Sequence, residues 1–438
     1  MRFLCCLLLL CAAPGASAQN APTPPNVLII VADDQGWNDI GTRNPKMTTP
    51  VLNKLAKDGV ELQRFYAYPV CSPARAALLT GVLPRRYGIV DVLAPGQAGI
   101  PKGTLTLPAR LKAAGYQTSL IGKWHLGSTN NALGNGFDHF YGFMSAELDY
   151  FKHTDKRGNP DWQRDGKQLA EEGYTTYLFA DDAVRQIKNR DKTKPFFLEV
   201  AFNAPHVDLA APADLVAKHK ADGLYGAVIE GLDVGVGRIL DALDEQGLRN
   251  NTLVIFVSDN GAPRRTGSNL PLRSFKDSVY EGGIRTPAIV RWPGRVPAGV
   301  SLNHAVAMID LYPTIAAALK LSLPAELKID GSNQWPAIAA GQPMNRPPFL
   351  VASHEIALFD GDWKLIEAAD GQRSLYNLKN DISESKDEWA KQPEVAAKLG
   401  AELDVLKKGL PADAGRRAGP GGGGKGPPGG KGKGPPAK

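Results

Sequence analysis

NVLIIVADDQG, residues 26–36, opens as a run of apolar, largely β-branched positions and stops abruptly at two carboxylates, Asp33 and Asp34. A strand that is apolar at successive rather than alternate positions must be covered on both faces, the mark of a parallel sheet between helical layers. The design recurs along the chain. TSLIG (118–122) follows the helix-like LPARLKAAG, and PFFLEVAF (195–202) precedes the long amphipathic LYGAVIEGLDVGVGRILDALDEQG (224–247). NTLVIFVS (251–258) and TPAIVRWPG (286–294) complete the set. The expected fold is therefore α/β, a large, mostly parallel sheet flanked by helices on both faces. Beyond about residue 345 the pattern changes to PFLVASHEIALFDGDWKLIEAADGQRSLYNL, with tight turns such as Asp360-Gly361. This predicts a smaller C-terminal subdomain, 346–412, with a short antiparallel sheet and a helix near 384–408.

The ends of the chain are of another kind. MRFLCCLLLLCAAPGASA (1–18) has one positive charge, a short apolar run and small residues at its end, so it reads as a secretory signal peptide cut after Ala18. A lipid anchor at Cys11 is the rival reading, disfavoured by the bulky Leu10 before it. Export to the periplasm or the exterior follows, and no later stretch is apolar enough for a transmembrane segment. Removing the signal removes Cys5, Cys6 and Cys11, leaving Cys71 alone. A lone thiol in an exported protein is either reactive, modified or intermolecular, or simply a small buried residue. Residues 413–438 are rich in Gly, Pro and Lys and are expected to be a disordered, solvated tail. Arg416, Arg417 and four lysines there, with Arg2, are seven positive charges, one more than the formal net charge of +6. The body is near neutral, which argues against a nucleic-acid partner.

Each apolar run ends in chemistry: Asp33-Asp34, Lys123-Trp124-His125, Asn203-Ala204-Pro205-His206 and Asp259-Asn260. In open α/β sheets ligands bind beyond the carboxyl ends of the strands, so these groups can converge on one pocket. Three gathered carboxylates repel unless a divalent cation sits among them, and oxygen donors favour Ca2+ or Mg2+. The plainer alternative is turn formation or helix capping, for which Asp-Asp and Asp-Asn-Gly are also suited. Lys123, His125, His206, Arg75 and Lys276 supply cations suited to a tetrahedral oxyanion such as sulfate or phosphate.

CSPARAALLTG (71–81), GYQTSLIGKWHLG, NAPH, VSDNG and LRSFKDSVYEGGIRTP resemble, in order, the blocks of the type I sulfatases, the formylglycine-dependent branch of the alkaline-phosphatase-like superfamily. The likeness covers roughly residues 25–385. GFDHFYGFMSAELDYF and the 225–252 stretch look most like the arylsulfatase B (N-acetylgalactosamine-4-sulfatase) branch. The resemblance implies a catalytic domain over 19–345 that hydrolyses sulfate esters of sugars or aryl alcohols. It implies one Ca2+ on Asp33, Asp34, Asp259 and Asn260, with Cys71 beside it. Cys71 becomes formylglycine (3-oxoalanine) through a sulfatase-maturing enzyme, and Arg75 steadies it. Lys123 and Lys276 hold sulfate oxygens, His125 serves the nucleophile's hydroxyls, and His206 contacts sulfate and leaving group. Phe275 before Lys276 departs from the family's pattern. Two alternatives stand beside this reading: a formylglycine-dependent phosphodiesterase or phosphonate monoester hydrolase, and a non-catalytic sulfated-glycan binder with Cys71 unmodified. Ser145, Glu147, Asp149 and His153 in one loop, and Arg264, Arg265 and Asn269 in another, are candidates to contact sugar, with surface-loop roles as the alternative.

Overall fold

The computed structural model describes residues 24–411, apart from 95, 128–130 and 221–222. The expected signal peptide, 1–18, and the expected disordered tail, 413–438, lie outside the described residues. Ten strands form the main sheet: β1 Asn26–Ala32, β2 Val60–Tyr66, β3 Gln117–Lys123, β4 His139–Phe143, β5 Gln163–Arg164, β6 Lys167–Gln168, β7 Phe196–Ala201, β8 Thr252–Ser258, β9 Ala288–Arg291 and β10 Val300–Ala307. Their spatial order is β10-β2-β9-β8-β1-β7-β3-β4-β5-β6.

The double-sided burial foreseen for residues 26–32 is met residue by residue. Val27, Ile29 and Val31 enter the core on one face, while Leu28, Ile30 and Ala32 enter a separate core on the other. Leu253, Ile255 and Val257 of β8 alternate in the same way with Val254 and Phe256. Helices Pro50–Lys57, Thr175–Asn189 and Gly223–Glu245 cover the second face; Cys71–Thr80, Leu107–Ala113 and Leu311–Ala318 cover the first. Among the described residues, no helix is long and apolar enough to cross a membrane.

The run at 286–294 departs from the parallel expectation. Its strand, β9, is antiparallel to both β8 and β2, and β5 and β6 are antiparallel as well, so the sheet is mixed. A parallel return needs a crossover that carries the chain back to the sheet's starting edge. After β8 the chain instead makes a loop with one four-residue helix, Glu281–Ile284, and turns straight back as β9. The 259–287 loop therefore stays at the carboxyl edge of the sheet.

A second, four-stranded antiparallel sheet follows: β11 Phe349–Ala352, β12 Ile356–Asp360, β13 Trp363–Glu367 and β14 Arg373–Asn377, in that order. Its helix, Pro393–Leu406, begins later than the sequence suggested, with Pro393 fixing the first turn. Phe349, Leu358, Phe359 and Leu375 belong to the same core as Val27 and Ile29. Tyr66 and Phe359, with ring centroids 4.3 Å apart, stitch the two sheets together.

Candidate active site

β8, β1, β7 and β3 lie side by side, and their ends deliver the four polar clusters to one edge. Ala32 and Ser258 are register partners, so Asp33-Asp34 and Asp259-Asn260 leave neighbouring strands at the same level. Backbone bonds lock them: Asp259 N donates to Ala32 O (3.1 Å) and Asp33 N to Ala204 O (3.0 Å). Asp34 N donates to Asp259 Oδ1 (3.2 Å), and Asn260 Nδ2 to Asp34 Oδ1 (2.6 Å).

Cys71 opens the helix Cys71–Thr80, all of whose residues are buried. Arg75, four residues on, falls on the same helix face one turn later. Cys71 Sγ lies 3.4 Å from Asp33 Oδ1 and 3.6 Å from Lys276 Nζ. Arg75 Nη2 donates to Asp259 Oδ2 (2.7 Å) and Nη1 to the Lys123 carbonyl (3.1 Å). Lys123 Nζ donates to Asp33 Oδ2 (2.6 Å), and Lys276 Nζ reaches both Asp34 oxygens (2.7 and 2.9 Å). His206 Nε2 sits 3.8 Å from Asp34 Oδ2, and its Nδ1 faces the Val207 carbonyl. Ligand atoms of Asp33, Asp34, Cys71 and His206 all lie within 4.8 Å of one another. Asp34 and His125, with φ of 72° and 47°, occupy the left-handed region that costs a non-glycine residue about 1–3 kcal/mol.

Burial and charge set the electrostatics. Burial alone raises a carboxyl's pKa, yet Lys123, His206, Arg75 and Lys276 together hold Asp33 well below the usual range. Asp259 goes the other way, to about 6, through burial and the charge of Asp33, which outweigh Arg75 and Lys123. Burial pushes the Cys71 thiol up, and burial with Lys123 and Arg75 keeps His125 neutral. Lys276 is held well above its ordinary value: burial opposes its charge, but Cys71, Asp34 and Asp33 prevail.

The donor set fits a hard divalent cation. Asn260 Oδ1 is buried without a hydrogen-bond partner among the described residues, as are both ring nitrogens of His125. Buried polar atoms are nearly always satisfied, so each of these is a free contact point for a bound group. Three carboxylates face three fixed cations, Arg75, Lys123 and Lys276. A divalent cation and a sulfate dianion would enter this neutral set as a neutral pair.

Beside His125 opens a pocket of about 400 Å³, with Val92, Leu93, Met144, Ser145, Glu147 and Lys156 in its wall. Ser145 and Glu147 thus reach it. His153 does not: it is 3 % exposed, its Nε2 bonds the Gly173 carbonyl at 2.9 Å, and its ring stacks on Trp162 at 4.3 Å. That expectation is corrected, because the ring's polar and apolar surfaces are both engaged in packing. Asp149 accepts from Phe151 N and Lys152 N in its own turn, and Asn269 closes its loop on both backbone groups of Ala262. Arg264 and Arg265 are exposed, with Arg264 over the Phe275 ring at 5.0 Å, which gives the unusual Phe275 a partner.

Sequence reasoning missed the supports. Ser72 Oγ donates to the His125 carbonyl (2.9 Å) and accepts from Leu93 N (3.0 Å). Tyr150 Oη faces the carbonyls of Asn203 (3.1 Å) and His206 (2.9 Å). Ser72 stands inside a recognisable motif, whereas nothing in a loop tyrosine announces such a task.

A family model described as "Sulfatase" matches residues 25–321. N-acetylgalactosamine-6-sulfatase of Canis lupus familiaris is 37% identical over 376 residues, covering 78% of this chain and 71% of that protein. The crystal structure of Ps i-CgsB in complex with k-i-k-neocarrahexaose superposes with a TM-score of 0.84 at 30% identity, covering 90% of this chain and 94% of the other. The PsFucS1 sulfatase from Pseudoalteromonas sp. gives a TM-score of 0.79 at 26% identity, covering 89% and 91%.

Proposed function

The chain belongs to the sulfatase family and is an enzyme that hydrolyses sulfate esters, and on that premise we propose that it is an exported, Ca2+-dependent, formylglycine sulfatase acting on a sulfated carbohydrate. The observation that carries this reading is the setting of Cys71, with Asp33 Oδ1 at 3.4 Å and Lys276 Nζ at 3.6 Å in a buried cluster of opposed charges. In this reading Asp33, Asp34, Asp259 and Asn260 hold one Ca2+, with the oxidised Cys71 as their neighbour. When bound, the ion supplies Lewis-acid polarisation of a sulfate oxygen and charge to balance the carboxylates. The hydrated aldehyde made from Cys71 supplies two hydroxyls, one to attack sulfur and one whose deprotonation releases sulfate.

The remaining work falls to ordinary side chains. Lys123 and Lys276 hold the equatorial sulfate oxygens, and the firmly protonated Lys276 Nζ acts as an anchor. A ring nitrogen of His125, kept neutral by burial, accepts the nucleophile's second proton. With Nδ1 turned to the Val207 carbonyl, His206 presents Nε2 to the leaving oxygen as general acid. Arg75 ties Asp259 to the end of β3 and fixes the frame on which these groups sit.

The pocket beside His125 has room for a sugar on the leaving-group side, with Ser145, Glu147 and Lys156 as its polar contacts. The names of the relatives, an N-acetylgalactosamine-6-sulfatase and a protein crystallised with k-i-k-neocarrahexaose, favour a sulfated galactosamine or a neocarra-oligosaccharide; the arylsulfatase B likeness, carried by the sequence blocks alone, remains part of this proposal. The sequence limits proposed above, 19–345 for the catalytic domain and 346–412 for the subdomain, go with it, as does a maturing enzyme as partner. Two measurements test it. The tryptic peptide bearing Cys71 should show the mass of an aldehyde in place of a thiol, and Cys71→Ala should abolish turnover while leaving the fold intact. An unmodified thiol in an active preparation, or full activity of Cys71→Ala, refutes the mechanism. Faster turnover of p-nitrophenyl phosphate esters than of p-nitrophenyl sulfate would favour the phosphoester alternative.

A further inference from the structure

The segment that carries Lys276 is fastened at both ends to the C-terminal sheet. At its start, Arg273 Nη1 donates to the Glu384 carbonyl (2.7 Å) and to Tyr376 Oη (3.3 Å), with its guanidinium 3.9 Å from the centre of the Tyr280 ring. At its end, Glu281 is fully buried; its backbone N donates to Glu384 Oε2 (2.7 Å), and its Oε1 accepts from Lys364 Nζ (2.9 Å). Lys364 Nζ also lies 2.8 Å from Glu384 Oε1, and neither side chain is exposed. Arg285 and Tyr66 complete the cluster at Glu281 Oε2 (3.1 and 3.2 Å).

Between these ends the loop is stiff. Gly282 N donates to the Arg273 carbonyl (2.7 Å), and a Cβ on Gly282 or Gly283 would collide with the Ser274 or Ser278 carbonyl. Ser274 and Asp277, on either side of Lys276, have φ of 71° and 77°, and Glu384 itself has 49°. Such conformations persist only where surrounding contacts over-determine them. A buried ion cluster is a poor way to gain stability, since apolar residues of the same volume often do as well. Its directional bonds, from Lys364 Nζ to Glu281 Oε1 and from the Glu281 amide to Glu384 Oε2, are instead suited to fixing geometry.

We propose that Lys364 and Glu384 are positioning residues for Lys276, acting through Glu281 and Arg273, so that the C-terminal sheet sets the geometry of the reacting centre. The inference rests on the reading of Lys276 as a sulfate-holding group. A double-mutant cycle in the full mature, calcium-loaded chain tests it, with turnover of p-nitrophenyl sulfate and inhibition by inorganic sulfate as readouts. Lys364→Met should lower kcat/KM and weaken sulfate inhibition by about tenfold to a hundredfold, the range expected for a misplaced group. In a Lys276→Ala background, whose residual turnover is measurable on this activated ester, the same change should have less than about a twofold further effect. Losses that multiply in the double variant overturn the proposal, because a merely structural role does not depend on Lys276. If Lys276→Ala by itself leaves turnover intact, the underlying reading of Lys276 fails instead, and the inference with it. Glu384→Gln, which keeps an acceptor for the Glu281 amide, carries the same cycle should Lys364→Met not fold.

Discussion

Asp259 and Asn260 are adjacent, yet they bring opposite problems to a cation. Asp259 has a pKa near 6, raised by burial and by Asp33, so below that pH a cation must displace a proton to use its oxygen. Apparent Ca2+ affinity should fall by about tenfold per pH unit below about 6 and be flat above it. A titration calorimetry series that is level from pH 5 to 8 would contradict this. Asn260 carries no proton to displace, and its free Oδ1 should matter at every pH. Asn260→Ala should weaken Ca2+ binding by at least about tenfold, comparable to losing one well-placed ligand contact. Tyr150 acts one step further out: Tyr150→Phe should loosen the Asn203–His206 turn and cost about 1 kcal/mol of folding stability, read as a lower urea midpoint, with kcat falling and KM little changed. That these candidate residues would meet was legible because uninterrupted apolar runs halt at carboxylates, histidines and lysines. His153 misled because a loop histidine looks the same in sequence whether it meets sugar or stacks on Trp162.

At the scale of elements, the legible features were those written in local pattern. Six of the seven positions of β1, all but Asn26, state their burial in their own side chains. The direction of β9 does not, since an apolar run reads alike in either sense; its reversal depends on the loop before it. Long-range caps are equally silent. Asp233, in the middle of helix Gly223–Glu245, accepts from Val51 N and Leu52 N at 2.9 Å each and so closes the first turn of helix Pro50–Lys57 from across the layer. Asp233→Ala should cost about 1–2 kcal/mol, as loss of a helix N-cap does, measurable as a lower urea midpoint. An unchanged midpoint would mean that the two amides find other acceptors.

Over the whole molecule, the 349–377 sheet is part of the body it flanks. Its Phe349, Leu358 and Leu375 share one core with β1, and Lys364 joins Glu281 without solvent between them. A chain ended at residue 345 should therefore fail to fold, and recovery of a soluble, cooperatively melting fragment would contradict that integration. The distances along the sequence also impose an order of events. Arg75 is 184 residues ahead of its partner Asp259, and the side chain of Cys71 is sealed at 1 % exposure once that partnership exists. At a synthesis rate of about 5–20 residues per second, β8 is made on the order of ten to forty seconds after the thiol. A catalyst that oxidises this thiol, as the proposed function requires, would therefore meet it most readily in that interval, before the 259 end of the site closes over it.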